Sequence, residues 1–489
     1  LITKLVALIG TFGLLVAGSL FLPTQSLQIG IDPLDSSYSV KAVDQLLVCP
    51  GAIVRSGGEK GTKLGVFDRL GQASISVTAD GAGTGVLETS KLVSPTKLNS
   101  SELPEDRLFS ETSESEALSL KISGRTDETD QGSSLLIASQ SQLVVSDSIK
   151  GLASTNCQQP TSEFWLVGGS TAAGRESLLI LTNPSPIDAT ADLRIFSNLG
   201  EVKVGGLSGI SVLANSTLIV SLASYAPDVK ELAVQVKSQA AKLAGWIQQK
   251  AIRGTSAAGL DIISPESNLS TSKVIPGFVI RGSKDSKKLF NISDDYFDVR
   301  NIIRVFAPEG QAANITIQVI ATASDTFGAV LTGVVEPGTV QDFNIDDLED
   351  GEYSVFISSD QPILASARAV RSDPEANPGT DFVWLSSAEE ISNPRTIAAP
   401  ALGQKILVLA NSSDQIVSTS VLDLISGETK LVSIPAFGTA SIEVLNSVSI
   451  SPNDGFVFGS LVILSEGQIS SVSITDPKNI GSDVQVNFR

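Results

Sequence analysis

The chain has no histidine and no methionine, and only two cysteines in 489 residues. Without histidine there is no imidazole base at neutral pH, no Ser-His-Asp relay and no His-ligated zinc. Two cysteines are too few for a Cys-ligated metal centre, so no metal and no cofactor is expected. Positive charge is also scarce: Lys and Arg number 34 against 53 Asp and Glu, a formal net charge of −19. Binding nucleic acid requires a positive field that displaces condensed counterions, so nucleic acid is excluded as an expected partner. Anionic lipid surfaces are disfavoured for the same reason. Carboxylates dispersed over an apolar, β-rich chain account for the acidity as solubility.

What is present is turn formers and apolar residues, with Gly 41, Pro 21 and 42% hydrophobic side chains. That mixture suits many short strands, and the length predicts three or four domains. Cys49 and Cys157 enclose 157 − 49 = 108 residues. In an exported chain they would form one disulfide, worth roughly 4–5 kcal/mol by the chain-entropy model. The competing reading is two buried free thiols.

Leu5 to Leu22 is an uncharged apolar run, with Lys4 before it and Pro23 after it. Eighteen residues at about 1.5 Å each span about 27 Å, close to a hydrocarbon core. Lys4 on the short leading side keeps that end in the cytoplasm. A cleavable signal peptide is the alternative, although no clean small-x-small site follows the run. On either reading the chain beyond Pro23 lies outside the cytoplasm.

The body repeats one order of short β-prone runs. Leu181-Thr182-Asn183-Pro184 is answered by Phe306-Ala307-Pro308 and by Leu409-Ala410-Asn411-Ser412. A long strand follows each, then a turn ending in Thr217, Thr339 or Thr439. These threonines are 122 and 100 residues apart, a period that suits sandwiches and is too long for propeller blades of about 40–50 residues. Opening segments repeat too: Val48-Cys49-Pro50-Gly51 matches Val274-Ile275-Pro276-Gly277, and Trp165-Leu166 matches Trp384-Leu385.

The expected fold is therefore all-β, a row of tandem immunoglobulin-like β-sandwich modules after one N-terminal transmembrane helix. Its expected parts are a membrane segment at 1–23, a linker at 24–35, and modules at 36–157, 163–266, 272–388 and 393–489. Polar joints fall around Gln158–Ser162, Ser264–Ser272 and Ser386–Arg395. The first module carries an acidic, Ser-rich stretch from Asn99 to Glu116, expected to be a long surface loop.

The Trp165-Leu166-Val167-Gly168-Gly169 opening, the Leu-Thr-Asn-Pro turn, the Val-Cys-Pro-Gly stretch and Asp381-Phe382-Val383-Trp384-Leu385 together resemble an actinobacterial exported family of unknown function. The resemblance is strongest from 164 to 385 and fades in the last module, where Asn411-Ser412 replaces Asn-Pro. It implies an N-terminal membrane segment, tandem β modules and an envelope location. It assigns no catalytic residue.

Candidate sites have plain structural readings. The Gly168–Gly174 loop lacks the Lys-Ser/Thr ending of a phosphate loop and is expected to be a hairpin connection with Arg175 at its exit. Arg175 and Arg253 are expected to pair with carboxylates inside or between modules. The acidic turns at Asp294-Asp295, Asp346-Asp347, Asp350 and Asp127/Asp130 are too irregular for an EF-hand, though clustered carboxylates can take Ca²⁺. Trp165, Trp246 and Trp384 read as core, with an exposed sugar-binding platform as the alternative. The expectation is a non-catalytic envelope protein, anchored or secreted, whose partners are envelope proteins or wall polymer. A carbohydrate- or peptidoglycan-binding protein is the second reading.

Overall fold

Apolar-polar alternation and continuous apolar runs mark two kinds of strand in this chain, and they take different positions. Leu118–Ser123 alternates buried and half-buried side chains, one face inward and one toward solvent. Thr380–Ser386 is buried at every residue, as a strand covered on both faces must be. The computed structural model describes residues 37–38, 45–57, 67–80, 85–93, 96–104, 107–123, 136–266, 268–322, 328–375, 379–474 and 484–485. The chain is nearly all β, and the strand pairs of its sheets are antiparallel. No helix among the described residues is long and apolar enough to cross a membrane; the Leu5–Leu22 segment lies outside them. Ser37–Tyr38 pairs with Val484–Gln485 in a small unit of its own, and Ala42–Ile480 forms the other.

Within Ala42–Ile480 the sheets come in four successive pairs. In each pair one sheet shares the same strand order. Its members run Arg107–Glu114, Ala73–Asp80, Leu136–Val145, Lys150–Asn156 in the first and Ser216–Ser221, Arg175–Asn183, Ala244–Arg253, Ser256–Ile263 in the second. The third has Thr339–Asn344, Ile302–Ala307, the end of Gly351–Ser372, and Thr380–Ser386. The fourth has Gly438–Val444, Gln404–Asn411, Phe458–Ser465 and Gln468–Ser473. Thr217, Thr339 and Thr439 sit in one register, opposite Thr182, Ala307 and Ala410. The repeated order in sequence is thus a repeated place in a sheet.

The repeated asparagines explain themselves at this level. Asn183 Nδ2 donates to the carbonyls of Ile187 (2.9 Å) and Val212 (3.0 Å), and its Oδ1 accepts from Ser185 N. Asn411 does the same to Gln415 and Pro435, with Ser413 N as its donor. Each side chain closes its turn by bonding carbonyls across it, buried or partly buried. Asn183→Ala should therefore cost about 2 kcal/mol in chemical unfolding, from buried groups left unpaired. Asn411→Ala should cost a similar amount, whereas Asn198→Ala, in an exposed turn, should change the midpoint little.

Two expectations are corrected. Asn99–Glu116 is not a loop: Thr96–Glu102 and Arg107–Glu114 are strands at the outer edges of the two sheets of the first pair. Ser, Thr and Glu occupy the solvent side of edge strands, where charge also blocks pairing with another chain. Nor is Gly168–Gly174 a hairpin. It carries the chain from Glu163–Val167 in one sheet to Arg175–Asn183 in the other. Crossing between sheets also occurs within one long strand, Gly351–Ser372, whose two halves belong to different sheets.

The cores show how the four pairs associate. The first pair has its own core, with Leu47, Ile75, Leu120 and the Cys49–Cys157 disulfide, whose Cα atoms are 4.3 Å apart. A second cluster joins Val48, Ile53 and Ala153 to Leu178, Trp246 and Leu260 of the second pair. The second core extends to Val370, Phe382 and Trp384 of the third. The third extends to Val408, Val462 and Ile469 of the fourth, and the fourth takes in Leu152 of the first. The pairs are not strung out in a row; they close on one another. The last strand of each repeat is the outer strand of its sheet, and its neighbours cover it: every residue of the four strands is buried except Lys150, Ser256 and Ser473.

Candidate functional site

Those four last strands, Lys150–Asn156, Ser256–Ile263, Thr380–Ser386 and Gln468–Ser473, meet along a common line. The approach is so close that a Cβ at Gly151 would lie 2.7 Å from Leu260 and 2.9 Å from an oxygen of Asp381. One at Gly259 would lie 2.6 Å from Phe382. Only glycine leaves this space free, and both residues have positive φ, +154° and +129°. The carboxylate of Asp381, itself fully buried, occupies the line. It accepts N–H bonds from Leu152 (3.1 Å), Leu260 (3.0 Å) and Ile469 (3.2 Å), one from each of the other three strands. Burial pushes this carboxyl up to about 7 against those three donors. Asp261 lies nearby, accepts from Trp384 N at 2.6 Å, and is raised well above the ordinary range by burial, with Asp381 adding to the rise.

At the end of this line, where the four strands run out into the joints, a cavity of about 500 Å³ opens. Its lining comes from each joint in turn: Gln159 and Thr161 from the first, Glu266 and Asn268 from the second, Ser387 and Glu389 from the third. Cys157 belongs to its wall, as do Leu136, Ile474 and Trp165. Glu266 Oε2 accepts from Ser387 N (3.1 Å) and Ser387 Oγ (2.6 Å), while Oε1 has no hydrogen-bond partner. Burial lifts this carboxyl to about 7, offset in part by Lys273. Lys273 is itself lowered by burial and interacts with both Glu266 and Glu389.

The three tryptophans divide. Trp246 and Trp384 are buried, the latter with Nε1 on Gln249 Oε1 at 2.7 Å. Trp165 is half-buried and is among the residues lining the cavity, its ring packed with Phe196 (5.7 Å) and Phe306 (5.1 Å between centroids). No sequence pattern separated it from the other two.

Arg175 and Arg253 converge on one carboxylate between the second and third pairs. Arg175 grips Asp298 with Nε (3.0 Å) and Nη2 (2.7 Å), and Arg253 Nη2 bonds the same group at 2.7 Å. Burial would raise Asp298, but the two guanidiniums overcome it and hold the acid below its ordinary value. Asp298→Ala strands these cations in the interior and should cost about 3–5 kcal/mol, read as a loss of unfolding midpoint. Arg304 clamps the Gly168–Gly174 crossing, donating to Gly169 O at 2.7 Å while paired with Asp342. The acidic turns serve locally. Asp350 accepts from Gly282 N and Ser283 N at the start of the helix Ser283–Phe290, Asp346 pairs with Arg300, and Asp347 with Lys287. Among the described residues no cluster of three or more His, Cys, Asp or Glu could hold a metal ion; Asp127 and Asp130 lie outside them.

A family model described as "Family of unknown function (DUF5719)" matches residues 110–444. No curated protein matches the chain. Among solved structures, a glycoside hydrolase of family 32 from Bifidobacterium adolescentis aligns over 90% of this chain and 96% of that one. Its identity is 9% and its TM-score 0.15, a likeness too slight to bear on fold or chemistry.

Proposed function

The chain belongs to this family of unknown function, DUF5719, and from that premise we propose a non-catalytic, extracytoplasmic interaction protein of the cell envelope. The observation that carries the reading is the cavity walled by the joints between successive sheet pairs. A site built from linkers exists only when all four pairs are assembled, which suits a platform that presents one surface. The Cys49–Cys157 disulfide fits an oxidising compartment. The lack of histidine leaves no imidazole base. In this reading the Leu5–Leu22 segment directs export, as anchor or signal, and the sheet pairs are immunoglobulin-like modules at the boundaries given above.

The test is in-cell cross-linking of the tagged full-length protein, with mass spectrometry of what is captured. One or two envelope proteins cross-linked at defined sites are the expected result. Recovery from the cytoplasmic fraction with both cysteines alkylatable before reduction would overturn the location and the role together. The second reading, binding of wall carbohydrate, is favoured by the one half-buried tryptophan at the cavity. Recovery of wall polymer alone would move it ahead.

A further inference from the structure

The outer strand of an open sheet leaves one row of backbone N–H and C=O groups without a strand partner, and charge on such an edge opposes pairing with another chain. Several outer strands here are charged: Thr96–Glu102 through Lys97, Arg107–Glu114 through Glu111, Thr339–Asn344 through Asp342, Thr429–Ile434 through Lys430 and Gly438–Val444 through Glu443. Ser216–Ser221 is uncharged but half-buried at every residue. Ala329–Val335 is different. It is the outer strand beside Ala313–Ala321, and its sequence AVLTGVV has no charge and no proline. Val330 is 69% exposed and Val334 47%, with Thr332 exposed between them. Among the described residues, no backbone hydrogen bond reaches this strand from its free side.

The strand also matches itself. Laid antiparallel on a second copy with Thr332 opposite Thr332, all seven residues pair, Val330 facing Val334 and Leu331 facing Gly333. Opposed residues then share a side of the sheet, so the exposed valines and threonines of both copies form one face. Pairs of β-branched side chains of this kind stabilise antiparallel strands. Glu336, the first charge beyond the strand, falls opposite Gly328, so no like charges meet along the seam. We propose that Ala329–Val335 pairs antiparallel with the same strand of a second copy of this chain, about a two-fold axis at Thr332. The two sheets then continue edge to edge. The free backbone would accept any strand; the match of side chains and the lack of facing charge select a second copy. This association goes beyond the envelope role and does not depend on it.

The test places single cysteines in the full-length chain, whose own two are already bonded to each other. In the paired strands the two Cβ atoms at position 332 lie about 4.5–5.5 Å apart, within reach of a short thiol-to-thiol cross-linker. Those at position 330 are offset by four residues along the seam, about 13 Å, and out of its reach. Each copy carries a net charge of −19, so the reaction is run at about 0.3 M salt to screen the repulsion. Thr332→Cys should give about tenfold more covalent dimer than Val330→Cys at equal concentration. Adding Val330→Lys to Thr332→Cys should cut the yield about tenfold, because charge on an edge opposes pairing. Both side chains are exposed, so the unfolding midpoint should stay that of the native chain. No covalent dimer from Thr332→Cys at about 100 µM overturns the proposal. So does equal cross-linking from the two positions, which marks contact without this register. Association through the apolar Leu5–Leu22 run does not imitate the expected pattern, since it would not distinguish 332 from 330.

Discussion

Asp381→Ala should destabilise the Ala42–Ile480 unit by about 4 kcal/mol or more. The substitution leaves three buried N–H groups, of Leu152, Leu260 and Ile469, without an acceptor at the place where four sheets meet. Each such group costs about 1–3 kcal/mol. If the unit melts as one, unfolding entropy of about 2 cal/mol/K per residue makes 1 kcal/mol worth only about 1 °C, so the thermal midpoint should fall by about 4–5 °C. Limited proteolysis is the sharper readout. The loss lies between sheet pairs rather than within one, so cleavage at the joints near 158–162, 264–272 and 386–395 should accelerate most. Equal acceleration throughout the unit would contradict the assignment of Asp381 as the tie between pairs.

The same residue gives a pH signature. Its folded pKa, about 7, is raised above the ordinary 3.8, so the native state holds a proton that the unfolded chain releases. The stability tied to that proton is fully present below about pH 3.8, declines as pH rises, and is gone above pH 7. The slope is about 1.4 kcal/mol per pH unit for one proton. Glu266 and Asp261, also raised by burial, act in the same direction. Asp298, held low by its arginines, acts oppositely and loses its contribution only as pH falls through its depressed value. Between pH 7.5 and 5 the unfolding free energy should therefore rise on acidification, and Asp381→Asn should remove about one proton's worth of that slope. A profile unchanged in the variant would show that another group titrates there.

The second large effect is expected from the disulfide. Cys49→Ala together with Cys157→Ala should cost roughly 4–5 kcal/mol, because the bridge closes a loop of 108 residues. The bond ties the Gln45–Cys49 strand to the segment that follows the strand Lys150–Asn156. Since Cys157 also belongs to the cavity wall, the double variant should loosen the cavity as well as the first core. Calorimetry with and without reductant on the native chain should give the same loss as the double variant. A loss under about 1 kcal/mol would mean that the first pair is held mainly by its apolar core and its contacts with the second and fourth.

The joints illustrate what could be read and what could not. Their polar composition marked them as breaks between modules, because such residues do not fill a core. Nothing local showed that Glu266, Ser387 and Thr161 would face one space, since they are separated by about a hundred residues each and share no motif. Trp165 and Trp384 occupy matching places in sequence, yet one is half-buried and the other buried against Arg304, 4.7 Å from its ring. Periodicity predicts burial against the partner sheet of the same pair. It is silent on burial against a neighbouring pair.

By itself the sequence determined the β class, the repeat and its register, the turn asparagines and the only possible cysteine pairing. Each of these follows from short-range rules of alternation, turn chemistry and count. The tertiary structure alone decided that four edge strands converge, that Gly151 and Gly259 leave room for a single carboxylate, and that the joints enclose a cavity. Those features arise from contacts between residues far apart in sequence, 88 to 229 positions for the bonds to Asp381, where covering an exposed edge outweighs any local preference.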